Sequence, residues 1–186
     1  IVGFKEDTSR EEYLHHIENK KLISLLNEVP VKKGDVFFLE TGTIHAIGAG
    51  IVIAEIQQTS DITYRIFDWD RVDANGNERE LHTELALDAI NYKTTFAKKE
   101  YKSTENKSTS LVDCPFFKTN IIPLNGELLI EKNDDSFMVF MCTEGSFELF
   151  LNDEKYTYQT GDTILLPAVL TTFVIKGTAT LLEITV

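Results

Sequence analysis

FFKTNIIPLNGELLIEKNDDSFMVFMCTEGSFELFLNDEKYTYQTGDTILLPAVLTTFVIKGTATLLEITV, residues 116–186, decides the fold. It holds about eight short runs rich in β-branched and aromatic residues: FFKTNIIPL, ELLIEK, FMVFMC, SFELFLN, KYTYQ, TILLP, TFVIK and TLLEITV. Asn, Gly and Asp punctuate them at regular short spacing, the pattern of an all-β sandwich or barrel. No strand–helix–strand alternation occurs, which excludes a doubly wound sheet.

Upstream of this tail the texture changes. Residues 97–113, AKKEYKSTENKSTSLVD, are polar and predict a linker. That divides the chain into 1–96, the linker 97–113, and 114–186. Residues 8–30 predict a helix: Ser9 and Glu12 fit an S-x-x-E capping box, Leu14, Ile17, Leu22, Leu25 and Leu26 recur at helical spacing, and Pro30 stops it. VFFLE (36–40), IVIAEIQQ (51–58) and TYRIFD (63–68) predict strands. Asn75-Gly76 predicts a turn, and ELHTELALDAINY (80–92) a helix with Leu81, Leu85, Ala86, Ala89 and Ile90 on one face.

The 186 residues carry 18 Lys and Arg against 30 Asp and Glu, a net charge of −12. That excludes nucleic acid and anionic membrane surfaces as partners, which require a basic footprint. A small phosphorylated ligand needs only one or two local cations. No apolar run approaches a membrane span. The opening IVGFKEDTSREEY turns polar too early for a signal peptide and lacks a Met, as expected of a processed or truncated cytoplasmic protein. Cys114 and Cys142 have no metal-like spacing and are expected as reduced thiols. A monomer is expected.

The chain repeats itself. VKKGDVFFLETGTIHAIGAG (31–50) lies over YQTGDTILLPAVLTTFVIKG (158–177) at a constant offset of 127 positions. Gly34-Asp35 falls on Gly161-Asp162 and Gly50 on Gly177. His45 falls on Thr172, so any task of that histidine belongs to the first copy alone.

The first copy is G-D-x5-T-G-x2-H over 34–45, which resembles the second conserved motif of the cupin β-barrels, G-x5-P-x-G-x2-H, with Glu40 in place of the proline. A longer block resembles the type I mannose-6-phosphate isomerases in their short bacterial form: His45-Ala46, Glu55-Ile56-Gln57-Gln58, Ser60-Asp61, Thr63-Tyr64-Arg65 and Asp68-Trp69-Asp70-Arg71, then RELHTELALDAI (79–90). The likeness is strong over roughly 1–95 and weak beyond. It implies two cupin-like jelly-roll barrels: an incomplete catalytic barrel with a helical insertion, and a degenerate C-terminal one. It also implies one zinc per complete catalytic barrel, held by a Gln and a His in a Q-x-H segment, a Glu, and a final His. His45 matches the final ligand. No Q-x-H occurs here, so the resemblance implies the C-terminal part of such an enzyme, with its upstream metal ligands missing.

Among single residues, spacing alone leaves His45 either a hydrogen-bonded histidine or a ligand; the resemblance makes it the zinc ligand. Arg65 is either one half of an ion pair or an always-charged stabiliser of oxyanion charge, and the resemblance gives it the catalytic role. Alternation along 51–56 puts Glu55 on the face of Ile51 and Ile53, pointing inward, with Arg65 as a plausible partner. Asp61 and Glu55 are the candidate acid–base or orienting carboxylates. His82 reads as a surface or capping residue, His15 and His16 as solvated, and Trp69 as a packing residue. The implied activity is interconversion of mannose 6-phosphate and fructose 6-phosphate. The alternatives are a metal-free module that binds a sugar phosphate without turnover, and a purely structural domain.

Overall fold

The computed structural model describes residues 1–60 and 62–186. They fall into two compact units, Ile1–Lys98 and Lys99–Val186. Among the described residues no helix is long and apolar enough to cross a membrane.

The first unit holds the helices. α1 (Arg10–Glu18) starts at Ser9, whose Oγ accepts from the Glu12 amide at 3.2 Å. The Glu12 carboxylate reaches back to the Thr8 hydroxyl, at 2.8 Å, rather than to the Ser9 amide. The expected long helix breaks after α1. Asn19 Nδ2 donates to the His15 carbonyl at 2.7 Å, and Lys20 adopts a left-handed φ of 55°. α2 (Leu22–Leu25) follows as a single turn. β1 is Val36–Phe37, α3 is Thr83–Ala86, and β2 is Lys98–Lys99. The core joins Phe4, Tyr13, Leu22, Leu26 and Leu87, with Phe4 stacked on Tyr92 and Tyr13 edge-on to both.

Two expectations fail here for one reason. The runs 51–58 and 63–68 are not strands, because a strand needs a neighbouring backbone to accept its amides and these find no ladder among the described residues. Val52 is 97% exposed and Ile62 67%. Glu55 is likewise exposed rather than inward. The 80–92 helix shrinks to α3 because the backbone at His82 pairs with Arg65 instead; Ala86, Leu87 and Ile90 turn inward, whereas Leu81 and Leu85 stay exposed.

The second unit is antiparallel sheet: β3 (Thr109–Asp113), β4 (Lys118–Glu131), β5 (Met138–Leu151), β6 (Glu154–Gln159), β7 (Thr163–Leu166) and β8 (Thr172–Thr185). The order is β3-β4-β8-β5-β6, with β7 on β5. The end of the expected linker, 109–113, is therefore strand: Leu111 is buried and the run pairs with β4. Inward alternation builds one core from Ile122, Leu124, Phe140, Cys142, Phe147, Ile175 and Leu181 among others. Both cysteines are free, and burial pushes the Cys142 thiol pKa up.

Six of the eight predicted runs fuse in pairs into three strands of 14 residues each, joined through Gly126, Gly145 and Gly177. Gly126 pairs with Gly177, and Gly145 with Ala179. A β-carbon on Gly145 (φ 78°) would lie 2.1 Å from the Thr178 carbonyl oxygen, and one on Gly177 (φ 155°) 2.4 Å from that of Ser146. Gly126, at φ 89°, has open space around it. The close approach of β5 to β8 thus depends on missing side chains. Gly145→Ala is expected to destabilise the chain by about 2–3 kcal/mol and Gly126→Ala by about 1 kcal/mol, the difference being the backbone clash. Urea unfolding followed on the second unit checks this, and equal losses would remove the close-approach argument.

Candidate functional site

The repeated segment opens with a turn that both copies build alike. Asp35 accepts from the Lys32 amide at 3.0 Å, and Asp162 from the Gln159 amide at 2.8 Å. The backbone returns as well: Asp35 N donates to Lys32 O at 3.1 Å, Asp162 N to Gln159 O at 2.9 Å. Gly34 and Gly161 take φ of 88° and 96°. In the first copy Lys98 also bonds Asp35, at 3.0 Å. That ammonium, then the Lys32 amide, holds the Asp35 carboxyl below its usual range.

This turn leads to His45. The segment is anchored on both sides: Gly3 N donates to Ile44 O at 2.7 Å, and Asn91 N to Gly42 O at 2.9 Å. Gly42 (φ 88°) lies so close to Ala89 that a β-carbon would meet its carbonyl at 2.4 Å. The His45 ring is exposed, with Nδ1 2.9 Å from Thr43 O. A carbonyl only accepts, so Nδ1 carries the proton and Nε2 keeps its lone pair outward. This is the neutral tautomer that a metal ligand uses, with the backbone as its orienting partner.

Arg65 is held by the segment 80–82. Its amide donates to His82 Nδ1 at 3.0 Å, its carbonyl accepts from His82 N at 2.7 Å, and its Nη1 donates to Glu80 O at 3.0 Å. His82 stands at the N-cap position of α3, but its side chain makes no capping bond there and is instead an acceptor clamped to the arginine's backbone. Nothing in a single sequence marks a pair 17 residues apart beyond the block RELH itself. Beside it, Arg79 makes two parallel hydrogen bonds to Asp68, whose side chain is only 8% exposed. Arg71 lies 5.3 Å from the centroid of the Trp69 ring, and Trp69 packs on Phe67, as a packing residue should.

Among the described residues no hydrogen bond or ion pair joins His45, Glu55 and Arg65 to one another, and no three His, Cys, Asp or Glu cluster as a metal site. Asp61 lies outside the described residues. The first unit's cavity, about 270 Å³, is lined by Leu22, Phe67, Asp68, Arg71 and Arg79, not by His45, Glu55 or Arg65.

These features define a cupin-type β protein with a single retained histidine of the second cupin motif. Residues 107–186 match the family described as "Mannose-6-phosphate isomerase, cupin domain". Mannose-6-phosphate isomerase ManA of Bacillus subtilis is 35% identical over 96% of this chain and 58% of its own length. The mannose-6-phosphate isomerase of Streptococcus mutans is 34% identical over 95% of this chain and 56% of its own. The crystal structure of the Bacillus subtilis mannose 6-phosphate isomerase superposes with a TM-score of 0.89 at 32% identity, over all of this chain and 60% of that one. The likeness to mannose-6-phosphate isomerases runs over nearly the whole of this chain, which spans somewhat more than half the length of these relatives.

Two outcomes follow from the geometry. His82→Ala removes the acceptor for the Arg65 amide, so that amide is expected to exchange with solvent about tenfold faster, whereas His82→Asn, whose side-chain oxygen can still accept, restores much of the protection. Hydrogen exchange by NMR reads this directly; identical exchange in the wild type and His82→Ala would show the bond to be idle. The second concerns Asp68. Arg79 holds its carboxyl pKa below the usual range. The pair's contribution is therefore complete above the unfolded carboxylate value of about 3.9 and disappears as pH falls through the lower folded value. Melting curves of wild type and Asp68→Asn are expected to differ most near pH ~6 and to converge toward pH ~3; a gap that stays constant across that range contradicts the assignment.

Proposed function

We propose that this chain contributes to a cytoplasmic aldose–ketose isomerase that interconverts mannose 6-phosphate and fructose 6-phosphate. The observation that carries the reading is the likeness to named mannose-6-phosphate isomerases across nearly the whole chain. The clamped Arg65 supports it chemically.

The reaction moves a proton between adjacent carbons. A base takes the proton from C2 of the aldose, electron density passes to the carbonyl oxygen at C1, and an enediolate forms. The proton is then delivered to C1 while the O2 proton passes to O1, leaving a C1 hydroxyl and a C2 ketone. Arg65 fits the enediolate step: its guanidinium stays charged at all working pH, and its backbone is fixed before charge develops. Asp61 and Glu55 are proposed to move the proton or orient the hydroxyls, tasks that suit a carboxylate tuned toward neutral pH.

His45 fits a zinc ligand through Nε2, but one ligand makes no tight site. The described residues by themselves do not assemble one. Zinc, when bound, would polarise the sugar oxygens; the further ligands that the family resemblance calls for are not among this chain's Q-x-H-free residues.

The test is a coupled isomerase assay on the protein carrying this chain at the full length of its relatives. Arg65→Ala is expected to lower kcat by about 10²- to 10³-fold with a smaller change in KM. His45→Ala is expected to lose bound zinc by elemental analysis. Wild-type turnover by Arg65→Ala would remove the arginine from the mechanism, and absence of isomerase activity in the wild type would overturn the reading itself.

A further inference from the structure

The second unit buries an acid that the isomerase chemistry does not use. Glu183 lies on β8 on the inward face it shares with Leu181 and Ala179, and is 9% exposed. Its Oε2 accepts from Asn120 Nδ2 at 2.7 Å and from the Ser108 hydroxyl. Among the described residues no Lys or Arg pairs with it, and its Oε1 takes no hydrogen bond.

Glu183 forms part of the wall of a cavity of about 210 Å³. Ile122, Leu128, Leu129 and Ile130 supply its apolar lining, and Asn106, Ser108 and Glu131 its other polar side chains. No cation lines the cavity. Lys132, next to Glu131 in the chain, has its ammonium committed to the carbonyls of Asn133, Ser136 and Ala168, each within 3.0 Å.

A carboxylate withdrawn from water loses hydration that two neutral donors replace only in part. Here both donors act on one oxygen. The other oxygen, with Glu131 as a second negative charge, puts a hollow with one aliphatic wall at negative potential. An anionic sugar phosphate is repelled from it. A cation with a hydrocarbon body matches both features: its N–H groups make charge-assisted bonds to Oε1, and its carbons cover the aliphatic wall. The volume equals that of about seven waters, which suits a short aliphatic amine.

We propose that this cavity binds a small organic cation, an alkylammonium group seated on Glu183. The site uses neither His45 nor Arg65 and stands independently of the isomerase reading.

The probe is n-butylammonium chloride, titrated into the whole chain and followed by NMR at the Asn120 side-chain amide and by calorimetry. Uncharged n-butanol and sodium chloride at matched ionic strength are the comparisons. Saturable binding of butylammonium is expected, weakened about tenfold or more in Glu183→Gln, the cost of one charge-assisted hydrogen bond. Leu129 is more than half exposed, so Leu129→Trp is expected to fill the mouth without disturbing the core and to block binding with the carboxylate intact. If Glu183→Gln fails to fold, Leu129→Trp carries the test. No saturation, equal affinity in wild type and the folded Glu183→Gln variant, equal affinity for butanol, unimpaired binding by Leu129→Trp, or the same shifts from sodium alone would each overturn the proposal.

Discussion

Every backbone amide and carbonyl needs a partner, and where the chain supplies one decides what is regular in this protein. β8 satisfies the rule most fully. It pairs residue against residue along its whole length with β4 on one side, and over most of it with β5 on the other, where the register shifts between Cys142 and Glu144. That double pairing turns six short hydrophobic runs into three long strands. It also places inward-facing side chains from three strands in one core. Where β5 and β8 run closest, backbone meets backbone, and only glycine leaves room.

The same rule explains the first unit by its unmet half. Residues 51–60 carry strand-forming side chains, yet the described chain offers them no second backbone. Ile51, Val52 and Ile53 consequently lie open to solvent. Among the described residues Arg65 pairs with one segment, through Glu80 and His82. Regular structure in this unit is brief, and its order comes from aromatic packing around Tyr13 and from side-chain hydrogen bonds at turns.

The internal repeat shows what single-sequence inspection can and cannot see. Gly34-Asp35 over Gly161-Asp162 was legible as letters, and the structure gives both pairs the same aspartate-to-amide bond three residues back. The all-β character of 114–186 was equally legible, because alternation and turn residues act locally. Boundaries were not. Fusion of the predicted runs depends on cross-strand pairing at Gly126, Gly145 and Gly177, which no local window contains. The clamp on Arg65 was invisible for a similar reason: a ring nitrogen accepting a backbone amide across a long loop leaves no periodic trace. The likeness of 40–71 to a known family pointed to Arg65 and His45 but was silent on what holds them.

What holds them bears on the chemistry. A guanidinium stabilises developing charge only if it does not reorganise as the charge appears. Among the described residues Arg65 is held by three bonds, two at its backbone and one from Nη1 to Glu80 O. His45 is likewise held by a local bond, its Nδ1–H directed at the Thr43 carbonyl. In the second copy Thr172 replaces this histidine while the turn before it persists. The turn is thus common to both copies and stands on local backbone pairing, whereas the histidine is confined to the first copy.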